Sequence, residues 1–344
     1  MSTSVEFIYL SAEDVIACGG GDLEATMAAC EEAFRLFERG ECKELPTGKI
    51  AWNGEHAHRA GPKVAFVGGD VNAVAVKWIP ANPDNPRERN LPRAIAQIIL
   101  TDPISVLPRA IMDGTVISAI RTAAVGGIFA KYLARKDARA VGVIGTGPIG
   151  RQQLRAIGFG MEAIDRVVVY DLVRANSERF VDEHQPLFPN VEFSVAESAR
   201  ACVEACDVIS AATVTAPADA YLEYEWLRPG AVVICTSGND VTMEAMRRVP
   251  RLVFSFSNEK PGNRLRSDAR MAYEEGILPS EKLVHISEII AGSKPARLHE
   301  DDAIVSLPMG MGIMDVVNAQ RVYETAVAQG IGQRLPLWHQ TPWI

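Results

Sequence analysis

A lysine at the end of an apolar run is the first residue in this sequence that suggests chemistry. The run Ala73–Val76 has the composition of a buried strand, and Lys77 follows it directly. A buried ammonium is costly unless an anion pairs with it, although a lysine at a strand end can also extend to solvent. Arg89 and Arg93 follow in the same region, while the chain as a whole has a formal net charge of -8. An anionic ligand would therefore have to be attracted by a local cluster of cations such as this one.

The second chemical signal is the glycine-rich segment AVGVIGTGPIG. Gly145, Gly147 and Gly150 have the spacing G-x-G-x-x-G between an apolar strand and a helix, which is the context of a dinucleotide-binding loop. The glycines permit a tight turn, approach of a pyrophosphate to the backbone and close helix packing, and the helix N-terminus supplies amide donors. A glycine-rich turn without a ligand is the alternative.

An acid in the following strand extends this pattern. Asp171 ends the apolar run VVVYD, where a carboxylate binds the ribose 2′-hydroxyl and repels a 2′-phosphate. NAD is therefore predicted in preference to NADP, although Arg174 could weaken that preference. The residues predicted to bind NAD are Gly145, Thr146, Gly147, Pro148, Ile149, Gly150 and Asp171, together with Thr213, Val214 and Ser237 after two later strands.

These residues require two kinds of scaffold. From Ala140 to Ser257, short apolar runs alternate with helical segments, which predicts a doubly wound parallel sheet of the Rossmann type. Residues 49–108 are mostly strand-like, with helices predicted at 11–40 and 119–134. A last helix, at 310–329, is expected to return to the first domain. The predicted fold class is α/β, with a Rossmann domain at 129–315 and an α+β domain at 1–128 and 316–344.

Composition limits the classes of function. The 344 residues are 48% hydrophobic, enough for two domain cores, and the acidic charge argues against a general nucleic-acid-binding protein. No signal peptide or membrane-spanning apolar run is evident, and the six cysteines lack disulfide spacing. A cytoplasmic location is therefore expected. His56 and His58 lack further ligands at suitable spacing, so no metal is expected.

Four segments together resemble one known family. They are VKWI at 76–79, MDGTVISAIRTAAV at 112–125, VGVIGTGPIG at 141–150 and PMGMGIMDV at 308–316. In order and spacing they resemble the ornithine cyclodeaminase/mu-crystallin family over nearly the whole chain. The resemblance implies that the α+β domain binds substrate and forms a homodimer, with the NAD-binding domain inserted into it.

The resemblance also implies roles for single residues. By position, Lys77 is similar to the family's active-site lysine beside the nicotinamide, and Asp240 to its catalytic acid. Arg121 is similar to the arginine that binds the substrate α-carboxylate, and Arg59 matches a second carboxylate-binding arginine. The segment that begins with Met309 and Gly310 is similar to the family's loop on the nicotinamide side.

One segment, KWIPANPDNPRERNLPRA at 77–94, is most similar to a branch of the family that makes 2,3-diaminopropionate. This resemblance implies NAD-dependent oxidation and hydrolysis of N-((2S)-2-amino-2-carboxyethyl)-L-glutamate to L-2,3-diaminopropionate and 2-oxoglutarate, for a siderophore or peptide antibiotic. Three substrate carboxylates need about three cations. The predicted cations are Arg59, Arg93 and Arg121, with Arg89 in reserve.

Three alternatives remain open. An ornithine cyclodeaminase, which forms proline and ammonia, would share Lys77, Arg121 and Asp240 but needs a carboxylate for the distal ammonium of its substrate. A cyclic-imine reductase would run the hydride transfer in the opposite direction. A non-catalytic binding protein of the crystallin type would not need both a lysine and an acid for proton transfer.

Overall fold

A computed structural model describes residues 4–46, 48–52, 58–236, 238–255 and 274–340. The strands in chain order are β1 (Val5–Leu10), β2 (Cys42–Glu44), β3 (Ile50–Trp52), β4 (His58–Val67), β5 (Ala73–Ala81), β6 (Gln97–Thr101), β7 (Pro108–Asp113), β8 (Ala140–Ile144), β9 (Arg166–Tyr170), β10 (Glu192–Val195), β11 (Val208–Ala211), β12 (Val232–Cys235), β13 (Arg251–Phe254), β14 (Leu283–His285), β15 (Ile304–Leu307) and β16 (Gln333–Trp338). The α-helices are α1 (Ala12–Ala17), α2 (Leu23–Glu38), α3 (Asn85–Glu88), α4 (Thr115–Leu133), α5 (Pro148–Gly160), α6 (Arg174–His184), α7 (Ala199–Glu204), α8 (Met243–Arg248), α9 (Ile286–Ile290) and α10 (Gly312–Gln329).

The chain forms two compact units, Met1–Arg121 with Met311–Ile344, and Thr122–Gly310. The first unit contains an eight-stranded sheet in the order β16-β1-β7-β6-β5-β4-β2, with β3 paired to β4. Strands β1 and β7 are parallel, whereas the pairs from β7 through β4 are antiparallel. Helix α10 packs on β4 and β5 and against α2. The antiparallel part of this sheet explains its alternating sequence pattern, with one face covered by helices.

The ends of the covering helices follow from local sequence. Asp22 caps α2 by accepting a hydrogen bond from the Ala25 amide at 3.0 Å. Gly330 ends α10 in the left-handed region at φ 68°, a conformation that glycine adopts without the steric penalty of a side chain. The Gly330 cap explains why the last helix ends at Gln329, the predicted limit.

The second unit contains an eight-stranded sheet in the order β10-β9-β8-β11-β12-β15-β13-β14. All seven neighbouring pairs are parallel, so both faces must be covered and the strands are apolar throughout. The strand order reverses direction between β8 and β11, and ligands of doubly wound sheets bind at the carboxyl ends of the strands at such a point. The glycine-rich loop follows β8 directly.

The predicted α/β fold class with a Rossmann-type parallel sheet is confirmed. Six parallel strands were expected from the apolar runs, and the structure adds two short ones, β14 and β15. Strand β15 lies between β12 and β13, a position that no local pattern predicts, because strand order depends on long-range pairing.

Helix α4 is the one described helix whose length and composition would allow it to cross a membrane, and 61% of its apolar window is buried inside the protein. It carries Arg121 near its middle, and its buried residues include Ile117, Ile128 and Phe129. These features are those of a core helix.

Candidate active site

Lys77 lies in a buried ion cluster of the first unit. Its Nζ is 2.7 Å from Oδ2 and 2.8 Å from Oδ1 of Asp315, and 3.1 Å from the hydroxyl of Ser118. Arg121 donates from Nε to Oδ1 of Asp315 at 3.0 Å and from a terminal nitrogen to Ser118 at 3.3 Å. The exposed fractions of Lys77, Arg121 and Asp315 are 1%, 5% and 1%. Three elements, β5, α4 and α10, therefore place two cations on one carboxylate.

The surroundings of this cluster change its proton affinities. Burial and the positive charge of Arg121 lower the pKa of Lys77 from 10.5 to about 7, although the carboxylate of Asp315 opposes them. Burial by itself would raise the pKa of Asp315, but the charges of Arg121 and Lys77 bring it below its ordinary value. Asp315 is therefore ionised at neutral pH, and Lys77 can accept or release a proton in that range.

The other predicted substrate arginines divide into two groups. Arg59 pairs in register with Ala81, which forms a bridge to Ala94, so the segment that contains Arg93 lies beside it. Burial and the charge of Arg59 lower the pKa of Arg93, as expected for neighbouring guanidinium groups. Arg89 instead pairs with Glu88 at 3.0 Å on an exposed segment. The structure thus brings Arg59 and Arg93 together and engages Arg89 elsewhere.

The glycine-rich loop of the second unit has the shape of a phosphate cradle. Gly145 has φ +89°, and a Cβ there would lie 2.9 Å from the Ala212 carbonyl oxygen. A Cβ on Gly150 would lie 2.1 Å from the Gly145 carbonyl oxygen, whereas one on Gly147 would meet no atom within 4 Å. Gly145 and Gly150 are therefore required by the protein, and Gly147 leaves open space at the N-terminus of α5, next to Pro148 and Ile149. This space fits a dinucleotide pyrophosphate.

Asp171 supports the loop and faces the same cavity. Its Oδ2 accepts hydrogen bonds from the amide and hydroxyl of Thr146 at 3.0 and 2.8 Å, and its Oδ1 accepts from the Val173 amide at 3.0 Å. Burial raises the pKa of Asp171, but these hydrogen bonds lower it by more, so the pKa of Asp171 lies below its ordinary value. Arg174 pairs with Glu178 and Glu197 at 3.0 and 2.9 Å. An ionised acid beside a neutralised arginine favours a free ribose hydroxyl over a phosphate.

A cavity of about 770 Å³ extends from this loop. It is lined by Gly145, Gly147, Asp171, Thr213, Val214 and Tyr221, among others. Further along the unit, the main-chain oxygen of Met309, the residue before Gly310, accepts a hydrogen bond from Ser255 at 2.8 Å. The predicted cofactor residue Ser237 lies outside the described residues, as does His56.

Asp240 lies beneath the wall of this cavity and is fully buried. Its Oδ1 accepts hydrogen bonds from the hydroxyls of Thr213, Thr215 and Tyr221, the latter two at 3.3 and 3.2 Å, and the Cys235 thiol donates to Oδ2 at 3.3 Å. A general base must lie within hydrogen-bond reach of the proton that it takes, directly or through one water. The catalytic role of Asp240 stays a prediction, and the geometry shows an acid that holds the hydroxyls lining the cavity.

The sequence-based reasoning missed three residues of these sites: Asp315, Ser118 and Tyr221. Asp315 stands in the quoted segment PMGMGIMDV, and its signal is an acid within a helix that is otherwise apolar over its first turns. A buried charge requires a partner, and Lys77 was the buried cation available. Within the described part of the chain, no group of His, Cys, Asp and Glu residues could hold a metal ion.

The sequence profile of the ornithine cyclodeaminase/mu-crystallin family matches residues 14–330. The N-((2S)-2-amino-2-carboxyethyl)-L-glutamate dehydrogenase of Staphylococcus aureus strain NCTC 8325 is 33% identical over 97% of this chain and 99% of its own.

Two solved structures resemble the fold of the whole chain. The Δ1-pyrroline-2-carboxylate reductase of Thermococcus litoralis, in complex with NADH and L-proline, has a TM-score of 0.84 at 27% identity and covers 96% of this chain and 100% of its own. An archaeal alanine dehydrogenase dimer with bound NAD has a TM-score of 0.83 at 27% identity, with coverage of 97% and 100%.

Proposed function

Because this chain belongs to the ornithine cyclodeaminase/mu-crystallin family, we propose that it converts N-((2S)-2-amino-2-carboxyethyl)-L-glutamate to L-2,3-diaminopropionate and 2-oxoglutarate. The chain is an NAD-dependent oxidoreductase of the amino-acid dehydrogenase and reductase type. We also propose that its product, L-2,3-diaminopropionate, is supplied to a siderophore or a peptide antibiotic.

The observation that carries the proposal is the set of cations on the first unit. Lys77 and Arg121 share one carboxylate, so together with Asp315 they carry a net positive charge in a buried place. Two more cations are Arg59, near the start of β4, and Arg93, in the segment between α3 and β6 that lies beside it. A substrate with three carboxylates can pair with these groups, because each guanidinium binds a carboxylate through two parallel hydrogen bonds.

The same residues argue against ornithine, whose distal ammonium has no carboxylate beside it, unlike the primary ammonium of the aminocarboxyethyl group. A distal ammonium needs an anion, and among the described residues the acid at Lys77 and the acid closest in register to Lys63 already accept hydrogen bonds. Asp315 binds Lys77 and Arg121, and Glu44 accepts a hydrogen bond from the amide of Gly312. An ornithine side chain would therefore place its charge among cations. The ornithine cyclodeaminase alternative is less well supported for this reason.

The residues divide the chemistry as follows. The loop Gly145–Gly150 and Asp171 would hold NAD, which would supply the acceptor for the hydride that leaves the glutamate α-carbon. The arginines bind carboxylates and orient the Cα–N bond. Lys77, with a pKa of about 7, takes a proton from the substrate amine or from the water that hydrolyses the imine, and returns one to the departing amine. Addition of one water to the oxidised bond yields 2-oxoglutarate and L-2,3-diaminopropionate.

The test is a coupled measurement of NADH and of products. Purified protein with NAD and the aminocarboxyethyl-glutamate should form NADH and 2-oxoglutarate in equal amounts, and NADP should replace NAD poorly. Ornithine, run in parallel with an assay for proline and ammonia, distinguishes the cyclodeaminase. No NADH from the glutamate adduct, together with proline from ornithine, would refute the proposal. Reduction of a cyclic imine alone would indicate the reductase, and NADH binding without turnover would indicate a binding protein.

We also propose a homodimer in the cytoplasm. The face of the first sheet opposite Lys77 carries Tyr9, Trp78, Ile99 and Leu335, which are 41%, 40%, 40% and 37% exposed. Register pairing aligns Ile99 with Ile111 and Ile111 with Tyr9 on this face. An exposed apolar surface on a sheet is typical of an interface between subunits. The six cysteines are free thiols, as in a reducing compartment.

A further inference from the structure

Lys63 faces Lys77 across the first sheet. Strands β4 and β5 pair without a register shift, and Lys63 is directly opposite Lys77. Directly opposite residues of antiparallel strands point to the same face, so Lys63 lies on the face that carries the buried ion cluster. Arg59 is four residues earlier on β4 and shares that face, at a distance along the strand of about 13 Å.

Lys63 acts electrostatically on this cluster. Its positive charge contributes to the lowering of the pKa of Lys77 and of Asp315. Placing two like charges directly opposite each other is unfavourable in an antiparallel sheet. The acid nearest in register is Glu44, which pairs with Ala65, two residues beyond Lys63, and which also accepts the Gly312 amide.

Lys77, Lys63 and Arg59 form a row of cations that runs from the buried centre of the sheet to its surface. From the buried centre outward, Lys77 and Lys63 come first and Arg59 follows, with Gly61 between Lys63 and Arg59 on the same face. Lys77 is buried, Lys63 and Gly61 are partly buried and Arg59 is exposed. A ligand that extends along this face from Lys77 would meet a cation at its reacting end, a second at its middle and a third at its outer end.

We propose that Lys63 determines substrate specificity by binding a second carboxylate of the substrate, so that the site selects amino acids with at least two carboxylates. This inference deepens the proposed function and rests on it for the identity of the substrate. A monocarboxylate amino acid would offer Lys63 no second carboxylate, and ornithine would place its distal ammonium against a like charge. Lys77 and Glu44 face Lys63 on the sheet whichever ligand is bound, so they do not distinguish between these ligands.

The test compares dicarboxylate and monocarboxylate ligands in Lys63 variants. Binding of 2-oxoglutarate and of pyruvate to the NADH-loaded protein is measured by titration calorimetry for the wild type, Lys63→Met and Lys63→Arg. Loss of a charge-assisted hydrogen bond should weaken 2-oxoglutarate binding roughly 10- to 100-fold in Lys63→Met. Pyruvate binding should change by less than about threefold, and Lys63→Arg should restore most of the 2-oxoglutarate affinity.

A matched control is available on the other face of the same sheet. Lys43 is exposed and pairs with Phe66 in register, so Lys43→Met removes the same charge without touching the row of cations. If Lys43→Met weakens 2-oxoglutarate as much as Lys63→Met does, the effect is one of net charge and the proposal fails. Equal losses for pyruvate and 2-oxoglutarate in Lys63→Met, or no loss for either, also overturn it, as does a wild type that prefers pyruvate.

Kinetics separate this inference from the proposed function. If the wild type oxidises the glutamate adduct, Lys63→Met should raise KM roughly 10- to 100-fold, because the residue binds a carboxylate that does not react. The comparison is made at a pH where Lys77 is neutral in both proteins, because the Lys63 charge also lowers the pKa of Lys77; there kcat should stay within about threefold. If the wild type does not oxidise the adduct, the proposed function fails, whereas the calorimetric comparison still decides whether Lys63 selects dicarboxylates.

Discussion

At the scale of single residues, the carboxylate of Asp315 organises the candidate active site. It is 1% exposed and holds both Lys77 and Arg121. Replacing a buried acid that pairs with two cations leaves their charges uncompensated, which is far more costly than the net contribution of the intact ion pairs. Asp315 also keeps the pKa of Lys77 from falling further, because its negative charge and hydrogen bond raise that pKa. The proton transfer proposed for Lys77 therefore depends on an acid that does not touch the reacting atoms.

We predict that Asp315→Asn moves the pH dependence of kcat/KM. Neutral Lys77 is the form that accepts a proton, so activity in the wild type should rise through about pH 7. Loss of the Asp315 charge lowers the pKa of Lys77, and the midpoint should move to lower pH by about one unit or more. The free energy of unfolding should fall by about 3–5 kcal/mol.

The controls for this prediction are Asp315→Glu and Ser118→Ala. The first retains the charge and should return the midpoint towards the wild-type value, and the second removes one hydrogen bond to Lys77 with a loss of about 1 kcal/mol. A pH profile of Asp315→Asn that coincides with that of the wild type would show that Lys77 is not the titrating group.

At the scale of elements, the loop between β8 and α5 separates glycines needed for folding from the glycine left for a ligand. Gly150 packs against the Gly145 carbonyl, so any side chain there displaces backbone. Gly147 has φ -68° and ψ -177°, which alanine adopts without strain, and its Cβ would enter open space. Glycine is therefore needed at Gly150 for packing of the protein backbone and at Gly147 to leave space for a ligand.

We predict opposite results for alanine at these two positions. Gly147→Ala should leave the melting temperature within about 2 °C of the wild type but weaken NADH binding by roughly tenfold or more, because the methyl group occupies the place of the pyrophosphate. Gly150→Ala should lower the melting temperature by several degrees or abolish folding. Thermal denaturation and NADH fluorescence titration measure both effects. Unchanged NADH affinity in Gly147→Ala would place the cofactor phosphates elsewhere.

At the scale of the whole molecule, the first sheet is covered by helices on one face and apolar on the other. A row formed by exposed Tyr9, half-buried Ile111 and exposed Ile99 crosses three neighbouring strands, and exposed Trp78 and Leu335 extend it. When one face of an antiparallel sheet is in water, the residues on that face are ordinarily polar. A second copy of this chain on that face would remove the row from water.

We predict that Ile99→Glu converts a dimer into a monomer of 37.3 kDa, because a carboxylate would be buried without a partner at the centre of the interface. Light scattering coupled to gel filtration measures the mass. Ile16→Glu, at a position 57% exposed on α1, should keep the dimer. A wild type that is monomeric at micromolar concentration, or an Ile99→Glu variant that stays dimeric, would contradict the proposed interface.

The sequence by itself determined those features that depend on neighbours along the chain. The spacing of Gly145, Gly147 and Gly150 and the position of Asp171 predicted a nucleotide loop, because turn geometry and strand length are local properties. Alternating apolar runs and helices predicted the parallel sheet for the same reason. The cation at Lys77 was visible as a conflict between burial and charge, although its partner was not.

Only the tertiary structure decided which distant residues meet. Asp315 reaches Lys77 from 238 positions away, and Lys63 lies opposite Lys77 because of a strand register that no composition specifies. Arg89 and Arg93 are close in sequence, yet one pairs with Glu88 and the other lies near Arg59. The periodicity of apolar residues depends on the backbone conformation of each segment, whereas the contacts between distant residues depend on how the segments fold back on each other. A buried charge is stable only where that folding supplies its counter-ion.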